Sequence, residues 1–151
     1  MNYRFNFSVF AILLLITIGC TVKPQPIAYG SDACHFCSMT IVDQQHAAQT
    51  VTKKGKAFKF DASECMMNHL KEVNADEVAL FLVNDYEAPG ELINATEATY
   101  LISKEIPSPM GEFLTAFGTK EGAEMAQAGN QGELFTWGEL CDRFIKKQVS
   151  P

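Results

Sequence analysis

The sequence predicts an α+β fold built from two related halves, and two observations carry that expectation. Short runs rich in Val, Thr, Phe and Ala are interleaved with segments whose apolar residues recur at helical spacing. The peptides "GKAFKFDASEC" and "GELFTWGELC" also share a pattern: Gly, two residues, Phe, one residue, an aromatic ring, then a helix containing Cys. Gly55, Phe58 and Phe60 each stand 77 residues ahead of Gly132, Phe135 and Trp137. A recurring strand-to-helix unit points to two halves that adjoin one core.

The elements follow in order. "HAAQTVTKKGKAFKFD" holds two strand-like runs joined by Lys-Lys-Gly and reads as a β-hairpin. In "DASECMMNHLKEVN", Asp61 or Ser63 is placed to cap a helix, and Ala62, Cys65, Met66, His69, Leu70 and Val73 share one helical face. "DEVALFLVNDY" reads as a buried strand, and Glu87-Ala88-Pro89-Gly90 as a turn. The second half gives a strand near "ATYLISK", a Pro-rich loop "EIPSPMGE" and a strand "FLTAFG". A helix over "TKEGAEMAQAG", a strand "GELFTW" and a closing helix "GELCDRFIKK" complete it.

The first residues locate the protein. "MNYRFNFSVFAILLLITIGC" has one Arg, an apolar run from Phe7 to Ile18, and Gly19-Cys20. That is the order of a secretory signal. The apolar run is about 12 residues, short of the roughly 20 a spanning helix needs. Ile16, Thr17, Ile18 and Gly19 before Cys20 resemble a bacterial lipobox, in which the cysteine is acylated and becomes the new N-terminus. An acyl chain tethers a protein to the bilayer because each buried methylene contributes about 0.8 kcal/mol. The expected product is a lipoprotein anchored to a bacterial membrane, facing the periplasm or the cell exterior. The expected organisation is a signal over residues 1–19 and a lipid-anchored, Pro-containing spacer over 20–33. A first half over 34–88 and a second half over 89–151 follow.

Removal of residues 1–19 takes away Arg4 and no acid, so 12 basic and 18 acidic side chains become 11 and 18, formally −7. That balance argues against nucleic acid, which selects basic surfaces. It is congenial to a cationic cargo. The remaining cysteines are Cys34, Cys37, Cys65 and Cys141, and in an oxidising compartment four thiols ordinarily mean two disulfides.

"DACHFCSMTIVD" concentrates the chemistry. Cys34 to Met39 hold two thiols, an imidazole and a thioether. Covalent haem attachment needs Cys-x-x-Cys-His, and Ser38 occupies the His position. A thioredoxin-like pair needs its thiols at a helix N-terminus after a strand, whereas "MTIVD" after the motif looks like strand. Structural zinc is a stronger rival, because Cys34 and Cys37 can combine with Cys65 and His69, four apart on one helix. Neither zinc nor a disulfide has a use for Met39. Cu(I) is soft and takes thiolate with thioether readily. If the stretch is extended, alternation puts His35, Cys37 and Met39 on one side. Met110, between Pro109 and Gly111 in a loop, is a further candidate thioether. No general acid–base or nucleophile arrangement stands out, since the histidines show no partnering pattern.

These residues resemble the NosL family, copper-binding lipoproteins accessory to nitrous oxide reductase. The likeness runs from Cys20 to about Phe144. It is carried by the lipobox-like Cys20, "HFCSMTIVD", "HAAQTV" with "GKAFKFD", "PMGEFLTAF" and "GELFTWGEL". The resemblance implies two small ββαβ-type halves packed together. It implies a non-enzymatic, membrane-tethered Cu(I) metallochaperone that supplies copper for maturation of nitrous oxide reductase. Its expected partners are that enzyme, its membrane transport and assembly complex, and the lipid bilayer through acylated Cys20. By position, Cys37 and Met39 match the family's Cys-x-Met, Met110 its Pro-Met-Gly and His35 the preceding histidine. Ser38 departs from the glycine often found there, and Cys34 is an added thiol that either strengthens copper binding or closes a disulfide on Cys37. A thiol–disulfide or zinc-stabilised periplasmic lipoprotein is the alternative.

Overall fold

The computed structural model describes residues 22–145. The expected leader, the expected acylation site Cys20 and the end of the closing segment lie outside the described residues. The first half runs β1 (Ala48–Thr52), β2 (Ala57–Phe60), α1 (Ser63–His69), a 3₁₀ turn (Ala75–Glu77), β3 (Val78–Asp85) and β4 (Ala88–Asn94). The second runs β5 (Thr99–Ile102), β6 (Leu114–Phe117), α2 (Lys120–Asn130), β7 (Glu133–Phe135) and α3 (Trp137–Phe144).

All strand pairs are antiparallel, in sheets ordered β2-β1-β3-β4 and β6-β5-β7. Each half is therefore a hairpin, a helix and a third strand returned to the hairpin's first strand, which is a ββαβ unit twice over. The expected architecture holds, but not for the expected reason. The peptide echo aligns β2 with β7, whereas topology makes β7 the counterpart of β3. The shared Gly-Phe-aromatic pattern is a coincidence of two strand-to-helix junctions.

The expected turn at 87–90 is also revised. Ala88 to Asn94 form β4, with Leu82 opposite Asn94 and Val83 opposite Ile93. Pro89 is tolerated because β4 is an edge strand, where a missing N–H breaks no ladder. The sheet change comes later, between Asn94 and Thr99.

The main core joins the halves. Phe60, Cys65, Met66, Met67 and Val83 from the first pack with Tyr100, Leu114, Ala116 and Leu140 from the second. Six of the seven residues of α1 are buried, because the helix lies between its own hairpin and β6. Asp61 and Ser63 do not cap it: the N-cap is Ala62, without a side-chain bond. Thr119 caps α2 by accepting from the Gly122 N–H, and Thr136 and Glu139 form a capping box on α3. A smaller cluster of Leu101, Ile106, Phe117 and Ala123 lies beneath α2.

The segment before the thiols is docked from Gln25 onward. Gln49 of β1 accepts from the Gln25 N–H and donates to its carbonyl, each at 2.8 Å. Asn84 of β3 donates to the Tyr29 hydroxyl at 2.6 Å. These bonds give donor or acceptor partners to buried polar side chains on the central strands and dock the segment against them.

Gly132 enters β7 with φ 110°, and a Cβ there would collide with the Ile102 carbonyl oxygen, a backbone atom that cannot swing aside. We expect Gly132→Ala to lose about 2 kcal/mol or more in urea unfolding. Gly129→Ala, in α2 with nothing within 4 Å of the new methyl, should gain about 0.5–1 kcal/mol. Equal effects would contradict the placement of this strand entry.

Candidate metal site

The thiol-bearing stretch is a tight turn. The Cys34 N–H donates to the Met39 carbonyl at 2.7 Å, the Ser38 N–H donates to the Cys34 carbonyl at 2.9 Å, and Ala33 bridges Thr40. The His35 N–H donates to the Lys59 carbonyl at 2.8 Å, docking the turn on the open edge of β2. Lys59 Nζ reaches Asp32 at 2.6 Å and pins the turn's entry. Ser38 closes it at φ 65°. That left-handed conformation suits glycine, and serine holds it at a cost of about 1 kcal/mol. The extended alternation expected for His35, Cys37 and Met39 is therefore not formed. The inward spacing is three: Cys34 and Cys37 both turn toward the core.

There they meet α1 and the end of β2. The sulfurs of Cys34, Cys37 and Cys65 and a carboxylate oxygen of Asp61 all lie within 4.8 Å of one another. Cys34 and Cys65 are buried and Cys37 is half-buried. The Cys37 thiol donates to Asp61 Oδ1 at 3.4 Å. The Cys65 thiol donates to Cys34 and, with help from the backbone N–H groups of Cys37 and Asp61, lowers the Cys34 thiol to about 6 despite its burial. Burial pushes the Cys37 thiol up. Donation to Cys34, followed by burial, pushes Cys65 strongly up. Cys34 is thus the first of the three to become the thiolate that soft metals seek. None of these three thiols is in a disulfide.

Met39, at the rim of the turn, is 54 % exposed. Met110 is half-buried and packs against the core cluster that contains Cys34 and Cys65, with Cys37 packed on the same cluster. His35 is exposed but stacked: its ring lies 4.4 Å from Phe58 and 5.0 Å from His69. His69, named with three thiols as a zinc ligand set, belongs to this aromatic patch against Phe58 and Phe60. Burial holds its pKa down. Asp61 takes the fourth place in the thiol cluster instead. Sequence reasoning read Asp61 as a helix cap. Its position four residues before Cys65 was the available signal.

The loop that presents Met110 is anchored by Glu64, next to Cys65. Ser108 Oγ donates to Glu64 Oε1 in a short bond, and the Leu114 N–H donates to the same oxygen at 3.3 Å. The Phe113 N–H in turn donates to Ser108 Oγ at 2.9 Å. Glu64 Oε2 is buried without a hydrogen-bond partner among the described residues.

A second buried bridge corrects the view that the histidines lack partners. His46 Nδ1 faces Asp43 Oδ2 at 3.0 Å, and Nε2 faces Thr115 Oγ1 at 3.3 Å. The order Asp, His, hydroxyl has the outline of a hydrolytic triad. Thr115 is 1 % exposed and His46 4 %, so the hydroxyl has no access to a substrate, and the chain of bonds ties the first half to β6.

A model of the NosL family matches residues 26–145. A copper-binding lipoprotein NosL from Stutzerimonas stutzeri is 27 % identical, over 95 % of this chain and 84 % of its own. The crystal structure of the copper chaperone NosL from Shewanella denitrificans superposes with a TM-score of 0.69 at 23 % identity. That match covers 79 % of this chain and 96 % of the other, and it establishes the shared fold.

Glu64 gives a pH signature. Burial raises its carboxyl above the ordinary 4.5. The folded state therefore holds its proton more tightly than the unfolded state. That contribution to stability is full below the ordinary value and is lost as pH rises through the folded one. Glu64→Gln keeps the oxygen that Ser108 needs and removes the charge. We expect its urea midpoint to exceed the parent's at about pH 8 and the gap to shrink toward about pH 5. A gap independent of pH would contradict this account of Glu64.

Proposed function

The chain belongs to the NosL family, and from that premise we propose that it is a Cu(I) carrier, tethered to a bacterial membrane through acylated Cys20, that supplies copper for maturation of nitrous oxide reductase. The single observation that carries the copper reading is the gathering of three cysteine sulfurs and a carboxylate within 4.8 Å, beneath a turn whose rim carries an exposed thioether. Thiolate and thioether are the donors that favour a soft monovalent ion over harder divalent ones.

In this reading Cys37 supplies charge and affinity, while Met39 and Met110 add neutral sulfur from the rim and from the opposite loop. Cys34 adds a second thiolate, and the exposed His35 imidazole lies beside the turn as an auxiliary ligand. A thioether carries no proton, so those contacts persist across a wide pH range. Release matters as much as capture. Cys37 is half-buried and Met39 exposed, so a recipient's ligand can attack an ion there before the donor lets go. A closed tetrahedral cage offers no such route. The client is a copper enzyme reached through a membrane assembly complex, and the tether keeps the carrier at the bilayer where that complex lies.

The alternative thiol–disulfide role draws on the lowered Cys34 pKa, but that thiol is 2 % exposed. An exchange partner cannot approach it without opening the turn.

Competition against a chromogenic Cu(I)-specific chelator tests the assignment. We expect Cys37→Ser to weaken Cu(I) binding by more than about tenfold, with smaller losses for Met39→Ala and Met110→Ala. Unchanged affinity in all three variants would refute it.

A further inference from the structure

We propose that this chain seats two Cu(I) ions. An outer ion would lie on Cys37, Met39 and Met110, and an inner one on Cys34 and Cys65, with the Cys37 thiolate shared between them. The inference rests on the copper reading above and adds what that reading does not need. Cys65 belongs to neither the turn nor the methionine loop. It comes from α1, yet its sulfur lies within 4.8 Å of both turn thiols.

The distances fit one ion among the three sulfurs. A metal–thiolate bond of about 2.3 Å places sulfurs around a shared ion about 4 Å apart, so small side-chain adjustments suffice. Burial fits as well. Cys34 is 2 % exposed and Cys65 fully buried, so an ion held by them is stripped of water and needs its charge matched within the protein. A single Cu(I) on three thiolates beside the Asp61 carboxylate leaves three surplus negative charges in that interior. Two ions leave two. Cys37, half-buried and between the turn's rim and the interior thiols, is the sulfur placed to bridge them.

The division of donors points the same way. The inner seat has thiolates and the Asp61 carboxylate. Met39 is exposed on the rim and Met110 comes from the second half's loop. An exposed thioether thus lies where exchange occurs, and the buried thiolates lie where an ion is retained.

Anaerobic titration of the reduced protein with Cu(I), in the presence of the chromogenic chelator, reads the stoichiometry. We expect two ions withheld per chain and a short copper–copper vector in X-ray absorption of the two-ion form. Cys65→Ala should withhold one ion and lose that vector, with an unchanged circular dichroism spectrum. The X-ray measurement on the unaltered protein keeps the test valid if the variant folds poorly. One ion per chain with no copper–copper vector overturns the inference and leaves the carrier reading standing. A single Zn(II) retained on the thiols alongside one Cu(I) also overturns it. No Cu(I) retained at all defeats the carrier reading itself.

Discussion

A buried carboxylate sets the geometry of the molecule's sulfur chemistry. Glu64 stands beside Cys65 on α1 and takes hydrogen bonds from Ser108 and from the start of β6. It thereby fixes the distance between the first half's thiols and the second half's methionine loop. Burying an acid that must accept two bonds is expensive, and leaving either partner unmade would cost about 1–3 kcal/mol more. The arrangement is stable only when both halves are in register. The His46 bridge from Asp43 to Thr115 repeats the device one residue further along β6. These polar ties give the packing of the halves a direction that Met66, Leu114 and Leu140 could not specify alone.

The thiol turn works on the same principle at smaller scale. Its shape comes from backbone bonds between Cys34, Ser38 and Met39 and from the strand edge it docks on. The placement of the two thiols is a consequence of that shape. A left-handed residue at 38 reverses the chain, so two thiols three apart face inward while the thioether stays in solvent. The inward pair then shares protons with Cys65 and Asp61, and the network that lowers Cys34 is the one a soft cation would replace.

Much of the fold was legible because it rests on local patterns. The hairpin over β1 and β2, both longer-range strands β3 and β5, and the three helices announce themselves through periodicity and turn residues. β4 was hidden by Pro89 and Gly90, whose usual meaning is punctuation and whose meaning here is an edge strand. The site was legible as a list of soft donors but not as a shape. A run reading "CSMTIVD" looks extended, and nothing local reveals that Ser38 turns left-handed. Thr115 was invisible, and Asp61 showed only its spacing to Cys65, for another reason: each gains its role from a partner 24 or 69 residues away. The echo between the two Gly-Phe-aromatic segments shows the opposite failure, a true conclusion reached from a similarity that the topology does not use.

The central claim is that sulfur from two distant loops converges on one soft ion, and methionine methyl groups report it directly. With methyl-¹³C methionine incorporated, addition of Cu(I) to the reduced protein should shift the Met39 and Met110 resonances strongly. Met125, 68 % exposed on α2, should stay in place as the internal control. Copper bound with the Met39 and Met110 signals unmoved would contradict the account.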